Sequence, residues 1–186
     1  MKIRFFLGLS LLILFASYGC GRPSSEVDMK EAQAALEEAK SVHADVLAPK
    51  DFQQAQKTWE RAQAAAKEGK TDTARVLFVS ARIYFHKSVE IANSKKDALS
   101  RELSSMQLMI NDNLDKVKST LSKGDLSPKL RSQVKAIASE VEKDNATISK
   151  LVDQEDFVQA VAIARDVQVK VYNAQLALDG QMPLSN

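Results

Sequence analysis

Cysteine, histidine, glycine and proline are all scarce in this chain of 186 residues, and each scarcity closes off a class of structure. A single cysteine, Cys20, excludes an intrachain disulfide. The two histidines, His43 and His86, have no second His or Cys at ligand spacing, so a metal site lacks its three or four convergent ligands. Six glycines and four prolines supply few turns, and no segment alternates apolar and polar residues long enough to read as a strand. A glycine-rich phosphate loop, a nucleophile elbow and an HExxH helix are missing too. The carboxylate clusters Glu37-Glu38 and Asp153, Glu155, Asp156 fall on a polar face and at a helix start. A catalytic acid pair instead needs an apolar pocket that raises one pKa. The expectation is a protein that is not an enzyme and takes no cofactor or metal.

What is present begins with Lys2 and Arg4, an apolar run from Phe5 to Phe15, and small residues at Ala16, Ser17 and Gly19. These are the three parts of a secretory signal peptide, expected over residues 1–19. The apolar run, about 12 to 14 residues, is short of the roughly 20 that cross a bilayer as a helix. The residues "SYGC", Ser17 to Cys20, resemble a bacterial lipobox, in which the Cys thiol is acylated and becomes the first residue of the mature chain. Ser17 stands where lipoboxes usually carry Leu. Ser17 and Gly19 also suit an ordinary signal peptidase, which would release a soluble periplasmic protein. Lipidation is the leading reading because the one cysteine sits where the motif requires it. It implies a membrane attachment through acylated Cys20, a linker over residues 20–25, and a body facing the periplasm. In lipoproteins of the enteric type an Asp after the Cys retains the protein in the inner membrane; Gly21 there favours the outer membrane.

Charge follows from the same division. Residues 1–19 hold two of the 26 basic residues and none of the 24 acids, so the remainder carries 24 of each. Nucleic-acid binding needs a cationic excess over the domain, and this chain has none to offer.

Beyond residue 25 the sequence is rich in Ala, Lys, Glu, Gln, Ser and Leu, and the expected fold class is all-α: elongated antiparallel helical bundles of about five helices with one long central helix. Helix 1 is predicted from Ser25, with Asp28 closing a capping box, to about Leu47, on the stripe Ala32, Leu36, Ala39, Val42, Val46. Pro49 breaks it. Helix 2 runs to about Glu68 on Phe52, Ala55, Trp59, Ala62, Ala66. From Asp72 to Leu121 there is neither proline nor glycine, which allows one rod of about 50 residues. Its apolar stripe is interrupted at "NSKKD", residues 93–97, where a kink or a handover between two bundles would fall. Pro128 opens helix 4, on Leu130, Val134, Ile137, Val141, Ile148 and Leu151. Acids at Asp153 to Asp156 precede helix 5, whose face Phe157, Ala160, Ala164, Val167, Val171, Ala174, Leu178 keeps strict 3, 4 spacing. The expected division is a helical hairpin bundle over 26–92, a three-helix bundle over 93–180 that continues the long helix, and a tail over 181–186. A single folded-back bundle is the alternative if the rod breaks at 93–97.

A weak internal repeat, "LAPK" at 47–50 and "LSPK" at 126–129, each followed by a helical hairpin, fits that division. The stretch "LAPKDFQQAQKTWERAQAAAKEGKTDTARVLFVSARIYFHKSVEIA", residues 47–92, looks like the bacterial lipoprotein family called domain of unknown function 4398. The resemblance, over residues about 29–96, rests on the "AP" break, the alanine-spaced "FQQAQKTWERA" and a short Gly turn into a second Ala-rich helix. It implies an envelope location and supplies no catalytic residues.

Two surface features are candidate sites. Trp59, Tyr84 and Phe85 would line a groove across the hairpin; the competing reading makes them core. Lys116, Lys118, Lys123, Lys129, Arg131 and Lys135 surround the turn at Gly124 with only Asp115 and Asp125 opposing, a cationic tip for peptidoglycan, lipid or an envelope protein partner; the competing reading is a solvated turn. The function expected is a lipid-anchored helical scaffold or interaction module. A periplasmic tetratricopeptide-like binding module or chaperone for an extended ligand is the alternative.

Overall fold

A computed structural model describes residues 25–123 and 126–180; the expected signal peptide, acylated Cys20 and linker, and the tail over 181–186, lie outside them. The described residues are all-α: α1 Ser25–Ser41, α2 Ala44–Leu47, α3 Pro49–Lys67, α4 Thr71–Lys123, α5 Pro128–Asp153 and α6 Phe157–Leu178.

The central element is α4, 53 residues without interruption and about 80 Å long at 1.5 Å per residue. Its helix passes through Asn93–Asp97 unbroken, because polar residues end an apolar stripe without removing a backbone N–H. What changes there is the packing. Up to Ala92 the buried side of α4 belongs to one apolar cluster with α1, α2 and α3. From Leu103 it belongs to a second cluster with α5 and α6, and Leu99 touches both. The buried positions of α4, Ala74, Phe78, Ala81, Phe85, Val89, Ala92, then Leu103, Met106, Ile110, Leu114, Val117 and Leu121, recur every 3.6 residues or so, the α-helical period. The stripe therefore stays on one side of a nearly straight helix, and both clusters lie on that side.

Cross-helix pairs set the directions. Asp28 with Arg75, Glu31 with Arg82 and Glu38 with His86 run α1 parallel to α4. Phe52 against Phe85 and Trp59 against Phe78 run α3 antiparallel. Glu102 with Arg165 and Met109 with Gln168 run α6 parallel, and Leu121 with Arg131 and Lys118 with Glu142 run α5 antiparallel. Ser25 thus sits beside the start of α4, and the α4–α5 turn lies at its far end.

Alanine at the contact faces lets α3 lie close on α4: Ala55, Ala62, Ala74 and Ala81 are fully buried. The buried hydroxyls of Thr58 and Ser88 donate to backbone oxygens of their own helix, Gln54 and Phe85, so neither is unsatisfied.

Helix 1 is shorter than its periodicity predicts. It ends at Ser41, His43 takes a left-handed conformation at φ 55°, and one turn, α2, completes the path to Pro49. No glycine or proline marks the break. The gain lies in burial: the bend places Ala44, Leu47 and Ala48 in the core and leaves Val46 outside, reversing the role that the unbroken stripe gives Val46. The carboxylate of Asp28 goes to Arg75 and not to a capping box. On α3 the stripe ends at Ala65, with Ala66 exposed, as the 3.6 period drifts from strict 3, 4 spacing.

Candidate functional site

Three places hold the candidate residues, and each is built differently. At the first, Trp59 and Phe85 are core side chains. The Trp59 ring meets Phe78 edge-on at 5.2 Å, and Phe85, fully buried, meets Phe52 at 5.7 Å. Tyr84 lies on the outer side of α4, 37% exposed. The three do not share a surface, which corrects the predicted groove: Tyr84 and Phe85 are neighbours in sequence and so point about 100° apart on a helix. A different groove of about 460 Å³ does touch Trp59. It opens between α1 and α3, where Leu36, Phe52 and Trp59 form the base and Lys40, Gln56 and Glu60 the polar rim.

At the cationic tip, half of the predicted residues are already engaged. Lys116 pairs with Asp112 one turn back, at 2.6 Å, and Lys118 pairs with Glu142 on α5 at 2.8 Å. The Arg131 guanidinium donates to the Leu121 carbonyl at 2.7 Å, satisfying a last-turn acceptor of α4. Lys129 and Lys135 are exposed and have no ion pair among the described residues, and the Lys123 side chain lies outside them. The field at this end is that of a few cations, with Asp112 and Glu142 cancelling two.

The third place was not legible in the sequence. Because both clusters sit on the same side of α4, α2 and the α5–α6 turn meet end to end, and between them lies a cavity of about 390 Å³. Its walls are His43, Val46 and Leu47 on one side and Glu155, Phe157 and Val158 on the other. The two non-glycine residues at positive φ among the described residues, His43 and Glu155 (φ 59°), face this same cavity. Glu155 takes the left-handed position of a Schellman turn, with its own N–H on the Val152 carbonyl and that of Asp156 on Leu151. At the equivalent position after α3 the chain uses Gly69, φ 73°. A glutamate there costs on the order of 1 kcal/mol in backbone strain. It gains an ion pair with Lys96 at 2.7 Å, and the Lys96 ammonium also lies 5.9 Å from the centre of the Phe157 ring. So the otherwise exposed "NSKKD" segment holds the second bundle's turn. The Asp156 carboxylate accepts from the Gln159 backbone N–H at 3.1 Å and caps α6.

Among the described residues no three His, Cys, Asp or Glu side chains gather as a metal site, and no helix is long and apolar enough to cross a membrane. His86 Nδ1 lies 3.3 Å from Glu38, an exposed pair between α4 and α1.

Residues 27–104, about two-fifths of the chain, match the family described as "Domain of unknown function (DUF4398)". That segment is nearly all of α1, then α2, α3 and about the first two-thirds of α4, so the match covers the first cluster whole and ends where the second begins. No curated protein and no solved structure matches the chain.

Two outcomes follow. Trp59→Ala removes a buried ring from its contact with Phe78 and is expected to cost about 3–5 kcal/mol in urea unfolding, while Tyr84→Ala stays within about 0.5 kcal/mol. The Lys96 ammonium, by hydrogen bond and then by charge, holds the Glu155 carboxyl below its ordinary range, with desolvation opposing weakly. A depressed folded pKa gives stability that is present above the unfolded value and is lost as pH falls through the folded one. In Lys96→Ala the Glu155 carboxyl, followed by NMR, is expected to titrate higher than in the parent chain; an unchanged midpoint would remove Lys96 as the cause.

Proposed function

We propose that the chain is a lipid-anchored, non-enzymatic protein of the bacterial cell envelope whose helical body acts as a scaffold or interaction module. The observation that supports it is the separation built into α4. Ser25 lies at the start of α4, only five residues from Cys20, and Gly21 to Ser25 reach under about 18 Å even when extended. With Cys20 acylated, α1 starts near the bilayer surface and the α4–α5 turn is held as far as about 80 Å from the anchored end. The partner is a protein or peptidoglycan of the envelope, met along that body or at its far end. The acyl group belongs to the outer membrane in this reading, on the strength of Gly21.

A binding module for an extended ligand is the second reading, favoured by the groove between α1 and α3 over Phe52 and Trp59. Both residues are more than nine-tenths buried, so the groove offers a ligand its polar rim more than its aromatic base.

Metabolic labelling with a fatty-acid analogue tests the anchor. The full chain is expected to take up label and fractionate with membranes, and Cys20→Ala to lose both. A wild-type chain without label overturns the reading.

A further inference from the structure

The two bundles share α4 and little else. No Cα atom of α1, α2 or α3 lies within 8 Å of one in α5 or α6. What separates them is the cavity of about 390 Å³ between α2 and the start of α6, and apolar side chains stand on both of its walls. Val46 and Leu47 are on the α2 side, Phe157 and Val158 on the α6 side. Leu47 is buried in its own bundle and Phe157 partly so, but Val46 is 56% exposed and Val158 43%. Each wall therefore presents a valine to the other across water, and apolar surface on both sides of a narrow gap gains by excluding that water.

We propose that this cavity is a closing cleft, in which α4 flexes at residues 93–102 and brings Val46 and Val158 together, so that each wall covers the other. The place of the flexure follows from packing. Between Ala92 and Leu103 only Leu99 joins either cluster, so tertiary contacts hold this part of α4 least. Its direction follows from the one-sided arrangement. Long helices curve with the solvent side convex, and α4 has both clusters on one side. Curvature in that sense tips the two walls toward each other. A radius of about 80 Å over the roughly 15 Å of residues 93–102 turns the helix axis by ~11°. Walls about 10 Å from that axis then approach by ~2 Å, much of the width of a water molecule. The ion pair of Lys96 with Glu155 holds the foot of the α6 wall beside α4, where the flexure moves atoms least. Curvature of this kind lengthens solvent-side hydrogen bonds slightly and breaks none, so α4 stays one helix throughout.

A disulfide across the cleft tests this with the full chain. Its two Cα atoms must come within about 7 Å, which the open cleft does not allow between α2 and α6. The pair Val46→Cys with Val158→Cys, in a chain whose own thiol is removed by Cys20→Ser, is oxidised under mild conditions beside the control pair Asp45→Cys with Val158→Cys. Asp45 is also exposed on α2, but it lines the groove between α1 and α3 instead. All three positions are exposed, so the substitutions leave the helical circular dichroism unchanged. The expected result is an intrachain 46–158 bond that forms several-fold faster than the 45–158 bond, with the helical signal kept after oxidation. Equal rates for the two pairs, no intrachain bond, bonds between molecules alone, or a bond that forms with loss of helix would each overturn the proposal.

Discussion

Everything in this molecule depends on one helix holding its apolar stripe straight for about 80 Å. Five other helices gain their buried surface from α4 or from a helix that rests on it, and the described chain has no disulfide to share that task. An α-helix of this length is cooperative along its backbone, but most of its stability comes from tertiary packing of the apolar face. Between Ala92 and Leu103 that packing thins to Leu99. The backbone crosses the gap because residues 93–102 hold no proline or glycine, and because Lys96 brings the α5–α6 turn down onto it.

The geometry of the stripe also explains why there is a junction at all. A seven-residue repeat would wind the stripe around α4 and place the two clusters on different sides. At the α-helical period they fall in line, so α2 closes one bundle against the turn that opens the other. Both strained residues, His43 and Glu155, lie in that contact. Each is a place where the chain bends sharply without glycine, and each bend puts apolar residues under cover: Leu47 on one side, Phe157 partly on the other. The cost of two left-handed residues is small beside the burial it permits.

How much of this was legible in the sequence differs from element to element. The all-α class, the starts at Pro49 and Pro128, and the stripe of α6 from Ala160 to Ala174 are written in local signals. Proline suits a first turn, glycine suits Gly69 and Gly180, and alanine or valine at 3, 4 spacing marks a buried seam. The end of α1 was not legible, because "SVHADVL" is compatible with helix throughout and only burial of Ala44 and Leu47 selects the bend. The cavity at the junction was hidden for the same reason, since its walls come from segments over 100 residues apart. Sequence distance also explains Tyr84: a run of apolar residues from Val76 to Phe85 says that α4 is contacted from two sides, and not which residue faces outward. The tip lysines were countable, whereas Glu142 and the Leu121 carbonyl that engage two of the six candidate cations come into reach only when α5 folds back.

The continuity of α4 is the central claim, and a distance measured along it tests that claim directly. Spin labels at the exposed positions Thr73 and Ser119 bracket the handover, and double electron–electron resonance reads their separation. A continuous helix predicts a single narrow distribution near 70 Å, at 1.5 Å per residue. A population centred well below 50 Å, or a broad spread, would mean that the rod folds back at residues 93–97 and would contradict the account.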